Sequence, residues 1–354
     1  MNRTTIEWVN RPGTTPFTWN PIRARRKIPI FHAGIIKGFG AATTGTFCTR
    51  ISPGCKLCYA AKINMRFGTG ADYTVPNLAD HEFYIDEKIM AEPLKRKKPA
   101  TIFVGDMFDL FHEAIPTRMI DRVLEVIAAC PQHVFQVLTK RAHLLEEKLY
   151  GVTLEHGCRE LGGGDYLSNL WLGVSVEDQQ RADERIPLLL QTPAAVRFLS
   201  VEPQLEAIDL TGGESIDGMP VVNPLTGADW CDPPIPGIDW CIVGGESGPG
   251  ARPFNLAWAQ SLLEQCKAAG VPYFLKQVGS NPASERDGPL RGLLEDARSK
   301  GGNMASWPKH LRLREFPKPM ERVGAEYDPT TEGGKMRVSQ GRAVKGTGCP
   351  VEST

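Results

Sequence analysis

The chain has 354 residues, 41% of them hydrophobic and 23% charged, and its 41 basic and 41 acidic residues cancel to a formal net charge of zero. That composition is globular and long enough for one large α/β domain or two smaller ones. It excludes a bulk polyanion binder, so any nucleic-acid contact must come from local basic patches.

No apolar run reaches the roughly 18 residues that a membrane helix needs, and Met1–Trp8 has no apolar signal core. The expectation is a soluble cytoplasmic protein without membrane contact. Nine cysteines in a reducing compartment read as free thiols plus a metal site rather than as disulfides.

In chain order, the first features are two basic patches, Arg23-Ala-Arg25-Arg26-Lys27 and Lys95-Arg96-Lys97-Lys98. Each reads first as solvated loop charge and second as a phosphate contact. Between them Cys48, Cys55 and Cys58 fall within eleven residues, while Cys130, Cys158, Cys231, Cys241, Cys266 and Cys349 are scattered singly.

Three chemistries fit the triad. A structural zinc wants four closed ligands. Cys55-x-x-Cys58 is a good half-site that His32 or His81 could complete, but no second closely spaced pair follows. Packing or reactive thiols are the second reading, although they have no need of the Pro53-Gly54 turn that folds the loop back. The third is an iron–sulfur cluster on three thiolates, which leaves one iron open to a ligand that does chemistry.

From residue 100 onward, apolar strands alternate with polar segments and helices. The strands are Thr101–Gly105, Val134–Leu138, Leu170–Ser175, Val196–Val201, Trp240–Val243 and Tyr273–Leu275. Such short apolar or β-branched runs suit strands buried on both faces. Helical spacing is clear over Met119–Ile127, over Asp178–Gln191, and over Trp258–Cys266 with Gly270 as the stop. The alternation implies a parallel sheet with right-handed crossovers.

Residues 211–237, rich in Gly, Pro and Asp, read as an insertion loop. The expected organisation is an α/β body over 1–280 and a polar extension over 281–323, within which Trp307–Pro317 docks. A flexible tail over 324–354 completes it.

In a parallel α/β barrel the site is built at the C-terminal ends of the strands. Here the strands end in Gly105-Asp106-Met107-Phe108-Asp109, Thr139-Lys140-Arg141, Ser175-Val176-Glu177-Asp178, Val201-Glu202-Pro203, Gly244-Gly245-Glu246-Ser247 and Lys276-Gln277. Ser175 or Asp178 also reads as a helix cap, but polar residues at every strand end point to a ligand site. The 244–250 loop is not a phosphate loop, because no Gly-Lys-Ser/Thr follows. Glu246 there could accept hydrogen bonds from an ammonium or a ribose hydroxyl.

The triad followed by the aromatic Tyr59, ahead of such strands, resembles radical S-adenosylmethionine enzymes, except that six residues rather than three separate the first two cysteines. A closer resemblance is to a phage- and prophage-associated family known by its three-cysteine motif and considered radical-SAM-like. It is carried by Thr5–Trp8, Thr18–Pro21, Ser52–Ala60, Met107–Phe111, Leu138–Arg141, Leu172–Glu177, Leu199–Pro203, Val243–Arg252 and Phe274–Gln277.

That resemblance implies a partial (β/α)6 TIM-like barrel with N- and C-terminal extensions. Cys48, Cys55 and Cys58 would hold three irons of a [4Fe-4S] cluster, and S-adenosyl-L-methionine would chelate the fourth. Tyr59, Gly105, Asp106, Met107, Ser175, Glu177, Gly244, Gly245 and Glu246 would surround that cofactor. Asp109, Lys140, Glu202 and Lys276 would face the substrate.

An external one-electron reductant of flavodoxin or ferredoxin type would be the partner. The substrate would be a nucleobase or nucleotide, with thymidine hypermodification in phage DNA as the favoured version. The alternative from another class is a zinc-stabilised, non-catalytic nucleic-acid-binding protein.

Overall fold

All six expected strands form neighbours in one sheet, seen here in a computed structural model. The structure describes residues 1–27, 29–32, 35–39, 42–150, 167–212, 222–228, 235–284, 288–294, 299–317, 326–327 and 336–337. We number the strands of the large sheet β1 (Asn2–Arg3), β2 (Thr15–Trp19), β3 (Ala100–Val104), β4 (Val134–Thr139), β5 (Leu170–Ser175), β6 (Val196–Val201), β7 (Trp240–Gly244) and β8 (Tyr273–Gln277). They lie side by side in chain order.

From β2 to β8 every described ladder is parallel, and only β1 runs antiparallel, to β2. The protein is therefore a mixed α/β molecule built on a large, mostly parallel sheet. Sequence reading misses β2, which pairs Thr15–Trp19 in register with Ala100–Val104.

Strand alternation gives the sheet two unlike faces. One face carries aliphatic side chains such as Ile102, Val104, Val137, Leu172, Val174, Leu199, Val201, Val243 and Leu275. It packs against the helices α2 (Thr117–Ala128), α3 (Gln179–Leu190) and α4 (Leu256–Ala269). These are the three helices expected from the sequence. Asp178 does cap α3, accepting from the Arg181 amide at 2.9 Å. α4 stops at Gly270, whose φ of 69° is the left-handed conformation that favours glycine.

The other face is aromatic. Phe103, Trp171, Phe198, Trp240 and Phe274 project from β3, β5, β6, β7 and β8. Trp8, on a single helical turn ahead of β2, enters among them with its ring centroid 4.7 Å from Phe103 and 6.3 Å from Trp240. Burial on both faces is why these strands read as continuous apolar runs.

Between β2 and β3 the chain builds a small antiparallel sheet, with Ile22–Arg26 at its centre and Thr43–Gly45 and His81–Ile85 beside it. Arg23 to Arg26 of the first basic patch are thus strand and not loop, and three of the patch's four cations are engaged. Arg25 lies over Tyr84, Arg26 pairs with Asp80 at 3.7 Å, and Lys27 pairs with Glu82 at 2.8 Å.

Beyond β8, the segment expected to dock over Trp307–Pro317 packs against the large sheet. Trp307 is buried and donates to the Gly301 carbonyl at 3.0 Å, and Phe316 reaches Trp240 at a centroid distance of 5.5 Å. Within the 211–237 insertion a short antiparallel ladder joins Gly227–Ala228 to Ile235–Pro236. Residues 213–221 and 229–234 lie outside the described residues, as does most of the 324–354 tail. No helix among the described residues is long and apolar enough to cross a membrane.

Candidate functional site

The cysteine loop runs from the small sheet into α1 (Tyr59–Phe67) across the C-terminal ends of the large sheet's strands. Pro53 starts a single tight helical turn over Pro53–Cys55. The Cys55 amide donates to the Ser52 carbonyl at 3.0 Å, and the Cys58 amide to the Cys55 carbonyl at 3.3 Å. Cys58 is the residue that opens α1. All three thiols are free and partly exposed. Cys48 is pushed up to about 12 by burial, which the Arg141 guanidinium opposes and which Asp109, Cys55 and Cys58 reinforce.

Three strand ends hold this loop. After β4, Arg141 is 1% exposed and forks across several acceptors. It donates to the Thr49 carbonyl at 3.0 Å and hydroxyl at 2.8 Å, to Asp109 at 3.2 Å, to Glu113 at 2.8 Å, and lies 3.7 Å from the Cys48 sulfur. After β5, the fully buried Glu177 accepts from the Gly54 amide at 3.1 Å and from Arg185 at 3.0 Å. Burial pushes the Glu177 carboxyl up. The fields of Lys140 and Arg185 with hydrogen bonds from Ser52 and Gly54 outweigh it and hold the pKa below the usual range.

After β3, the Asp106 carbonyl accepts the Tyr59 hydroxyl at 2.5 Å. The Tyr59 ring is half-exposed, yet its hydroxyl is enclosed, and that burial raises its pKa, with Asp106, Cys58 and Glu202 adding to it. The loop is also stitched within itself. Arg50 pairs with Asp72 at 2.6 Å and reaches the Cys55 carbonyl at 3.2 Å.

On the aromatic face, alternation places Ser175, Ser200, Gly244 and Lys276 at the strand ends. Lys276 donates to both oxygens of Glu202, at 2.7 and 2.8 Å, and Gln277 donates to the same carboxylate at 3.2 Å. The pair spans from β6 to β8 past β7, where Gly244 carries no side chain. A Cβ there would already stand 3.4 Å from Glu202.

Gly245 is needed for a close approach, since a Cβ would lie 2.6 Å from the Val278 carbonyl. Gly105 has a φ of 76°. Glu246 is clasped by Arg252 at 2.9 Å and 2.5 Å, which holds its pKa low against burial.

The chain belongs to the DUF5131 family, described as proteins of unknown function. The family model matches residues 41–343, which includes the cysteine loop and β3 to β8. No curated protein and no solved structure matches the chain.

In this DUF5131 protein the residues singled out from the sequence gather at one end of the sheet. Cys48, Cys55, Cys58, Tyr59, Asp106, Glu177, Glu202 and Lys276 are held there by the contacts above, and Ser175 and Gly244 stand at the ends of β5 and β7 beside them. Lys140 is there too, through its field on Glu177. The Met107 carbonyl accepts from Tyr73 at 2.8 Å. Asp109 is taken up wholly by the scaffold, accepting from Thr139, the Phe111 and Lys140 amides, and Arg141. Glu246 serves its own loop through Arg252 rather than standing open.

Sequence reading passes over Arg141, Arg185, His112 and Gln277. Only Arg141 and Gln277 carried a signal, as strand-end neighbours of Lys140 and Lys276. Among the described residues no group of three His, Cys, Asp or Glu side chains could hold a single metal ion. The second basic patch lies at the far end of the sheet, ahead of β3. There Lys95–Lys98 line a hollow of about 490 Å³ with Met1 and Glu92, and no site residue takes part.

Proposed function

We propose that this protein is a radical S-adenosylmethionine enzyme. The parallel sheet is read as a partial barrel, its aromatic face turned inward around Trp8. The observation that carries this reading is a three-thiol loop fastened by Arg141, Glu177 and Asp106 over the C-terminal ends of parallel strands, where α/β proteins build their sites. The donor set fits a cluster with an open iron. Each thiolate of such a cluster takes a different iron, so the three sulfurs need not converge on one point.

Cys48, Cys55 and Cys58 would hold the cluster. When bound and given one electron, a four-iron cluster supplies reductive cleavage of S-adenosylmethionine to methionine and a 5′-deoxyadenosyl radical, which takes a hydrogen atom from substrate. The chain's residues do the rest. Arg141 offsets thiolate charge at Cys48, and the enclosed Tyr59 hydroxyl fixes α1 against the β3 end. Ser175, Gly244 and Gly245 leave room for the adenosine. Lys140, Glu202 and Lys276 present charge to the substrate from the aromatic face, and the apolar wall behind them excludes water.

For substrate we propose a nucleobase or nucleotide, with thymidine hypermodification in phage DNA as the concrete version. Because Arg26 and Lys27 are engaged by Asp80 and Glu82, a free nucleotide or flipped-out base suits the site better than a gripped duplex.

Anaerobic purification tests the reading. A brown protein with broad visible absorbance is expected, and Cys55→Ala should lose both the colour and dithionite-driven 5′-deoxyadenosine while keeping its circular dichroism. A colourless zinc protein, or an iron-replete one that forms no 5′-deoxyadenosine, overturns it.

A further inference from the structure

Among the described residues, the large apolar side chains left exposed are Ile51, Tyr59, Ile63, Met65, Phe67, Val75 and Leu94, and only Leu94 lies outside residues 51–75. Scattered singly, such residues need no explanation. Concentrated in one segment, they mark an interaction surface.

The segment is the cysteine loop and α1. The helix buries Ala60, Ala61 and Asn64. On its other side Tyr59, Ile63 and Phe67 follow one another at a spacing of four, and Lys62 and Arg66 form a parallel stripe beside them. Phe67 is 73% exposed, with the Arg66 guanidinium 4.8 Å from its ring centroid. Lys56 adds an exposed cation within the loop. Between Arg50 and Asp72 the sequence has no acidic residue, and Asp72 is committed to Arg50.

An apolar centre with a cationic rim calls for an acidic partner with an apolar patch of its own. Its position narrows the partner further. α1 starts at the residue after Cys58, and electron transfer falls off steeply with distance, so a donor to a cluster on these cysteines must settle close to them. Encounters of this kind bury little surface, under about 1,200 Å².

Single-stranded nucleic acid fits less well, because it needs aromatic faces for stacking bases. Ile51, Ile63, Met65 and Val75 offer none, Phe67 is partly covered by Arg66, and the Tyr59 hydroxyl is tied to Asp106.

We propose that the exposed face of α1 is the docking surface for an acidic one-electron carrier protein, an inference that rests on the iron–sulfur reading above. One electron leaves the reduced carrier and enters the cluster, and no bond or proton changes hands at the surface.

The test uses the full-length protein with flavodoxin as probe, comparing wild type with Phe67→Asp and with the pair Lys62→Glu and Arg66→Glu. Two quantities are read: the dissociation constant of the complex at low and high salt, and 5′-deoxyadenosine formation driven either by reduced flavodoxin or by dithionite. Both variants should weaken the complex at least tenfold and slow the flavodoxin-driven rate to match, with the dithionite-driven rate at the wild-type level. Binding by the wild type should weaken as salt rises.

Unchanged flavodoxin affinity and rate in both variants overturns the proposal. So does loss of affinity for a single-stranded oligonucleotide with flavodoxin binding intact, which would make this a nucleic-acid surface. Wild-type protein that gives no product with dithionite defeats the cofactor reading itself, and the docking proposal falls with it.

Discussion

Glu177, just beyond β5, accepts the amide hydrogen of Gly54 at 3.1 Å, so a buried carboxylate on the sheet grips the residue immediately before Cys55. The same carboxylate is the partner of the buried Arg185. Glu177→Gln keeps the shape and removes the charge, leaving Arg185 without its counter-ion. Breaking a buried pair costs about 3–5 kcal/mol. The variant should unfold at lower urea, and native-state trypsin should cut faster after Arg50 or Lys56. Equal cutting rates would mean that the loop keeps its place without Glu177.

Arg141 is the most heavily engaged side chain in the site, with donors to Asp109, Glu113 and Thr49. Arg141→Ala should destabilise by about 3–5 kcal/mol. Arg141→Lys should recover little, because a point-like ammonium cannot reproduce the planar fork. Urea unfolding of the metal-free protein reads this directly, and a loss under about 1 kcal/mol for Arg141→Ala would show the network to be slack.

His112 is fully buried, and burial together with the Arg141 charge lowers its pKa to about 4. The Ala114 amide donates to Nδ1 at 3.1 Å, which leaves Nε2 to carry the proton toward Thr49. The unfolded chain titrates near 6.5, so between there and about 4 it binds more protons than the folded one. Stability is then full above pH 6.5 and falls as pH drops toward 4, by up to about 3 kcal/mol. Urea midpoints from pH 7.5 to 4.5 should follow this fall, and His112→Gln should flatten it.

Gly173, in the middle of β5, lies under the Phe198 ring. A Cβ would meet ring carbons at 2.5 to 2.6 Å. Gly173→Ala should cost about 1–3 kcal/mol through overpacking, and adding Phe198→Leu should return part of it. Additive losses in the double variant would place the strain elsewhere.

The parallel strands were legible in the sequence because burial on both faces writes an uninterrupted apolar run, and each of the six lies within two residues of its expected bounds. β2 was not, because Thr15-Pro-Phe-Thr-Trp19 has only two large apolar residues and draws its ladder from β3. The strand-end rule picked residues that do gather at one end of the sheet, but it did not foresee which of them the scaffold takes up. It favoured Lys140 over Arg141, since a linear pattern cannot tell which of two adjacent cations turns inward. It also set Asp109 beside the substrate, whereas the carboxylate meets four donors within the scaffold. Such partners come from distant segments, and spacing along the chain carries no trace of them.

Trp8 and Phe316 both close on Trp240, and Trp240 donates to the Glu315 carbonyl at 2.9 Å. The aromatic face is thus completed by residues more than 300 positions apart. During N-to-C synthesis, a chain stalled before residue 316 leaves Trp240 and Phe274 without their last cover. The half-made protein would present a sticky aromatic wall until Phe316 has left the ribosome, which makes that residue's arrival the point where production succeeds or aggregates.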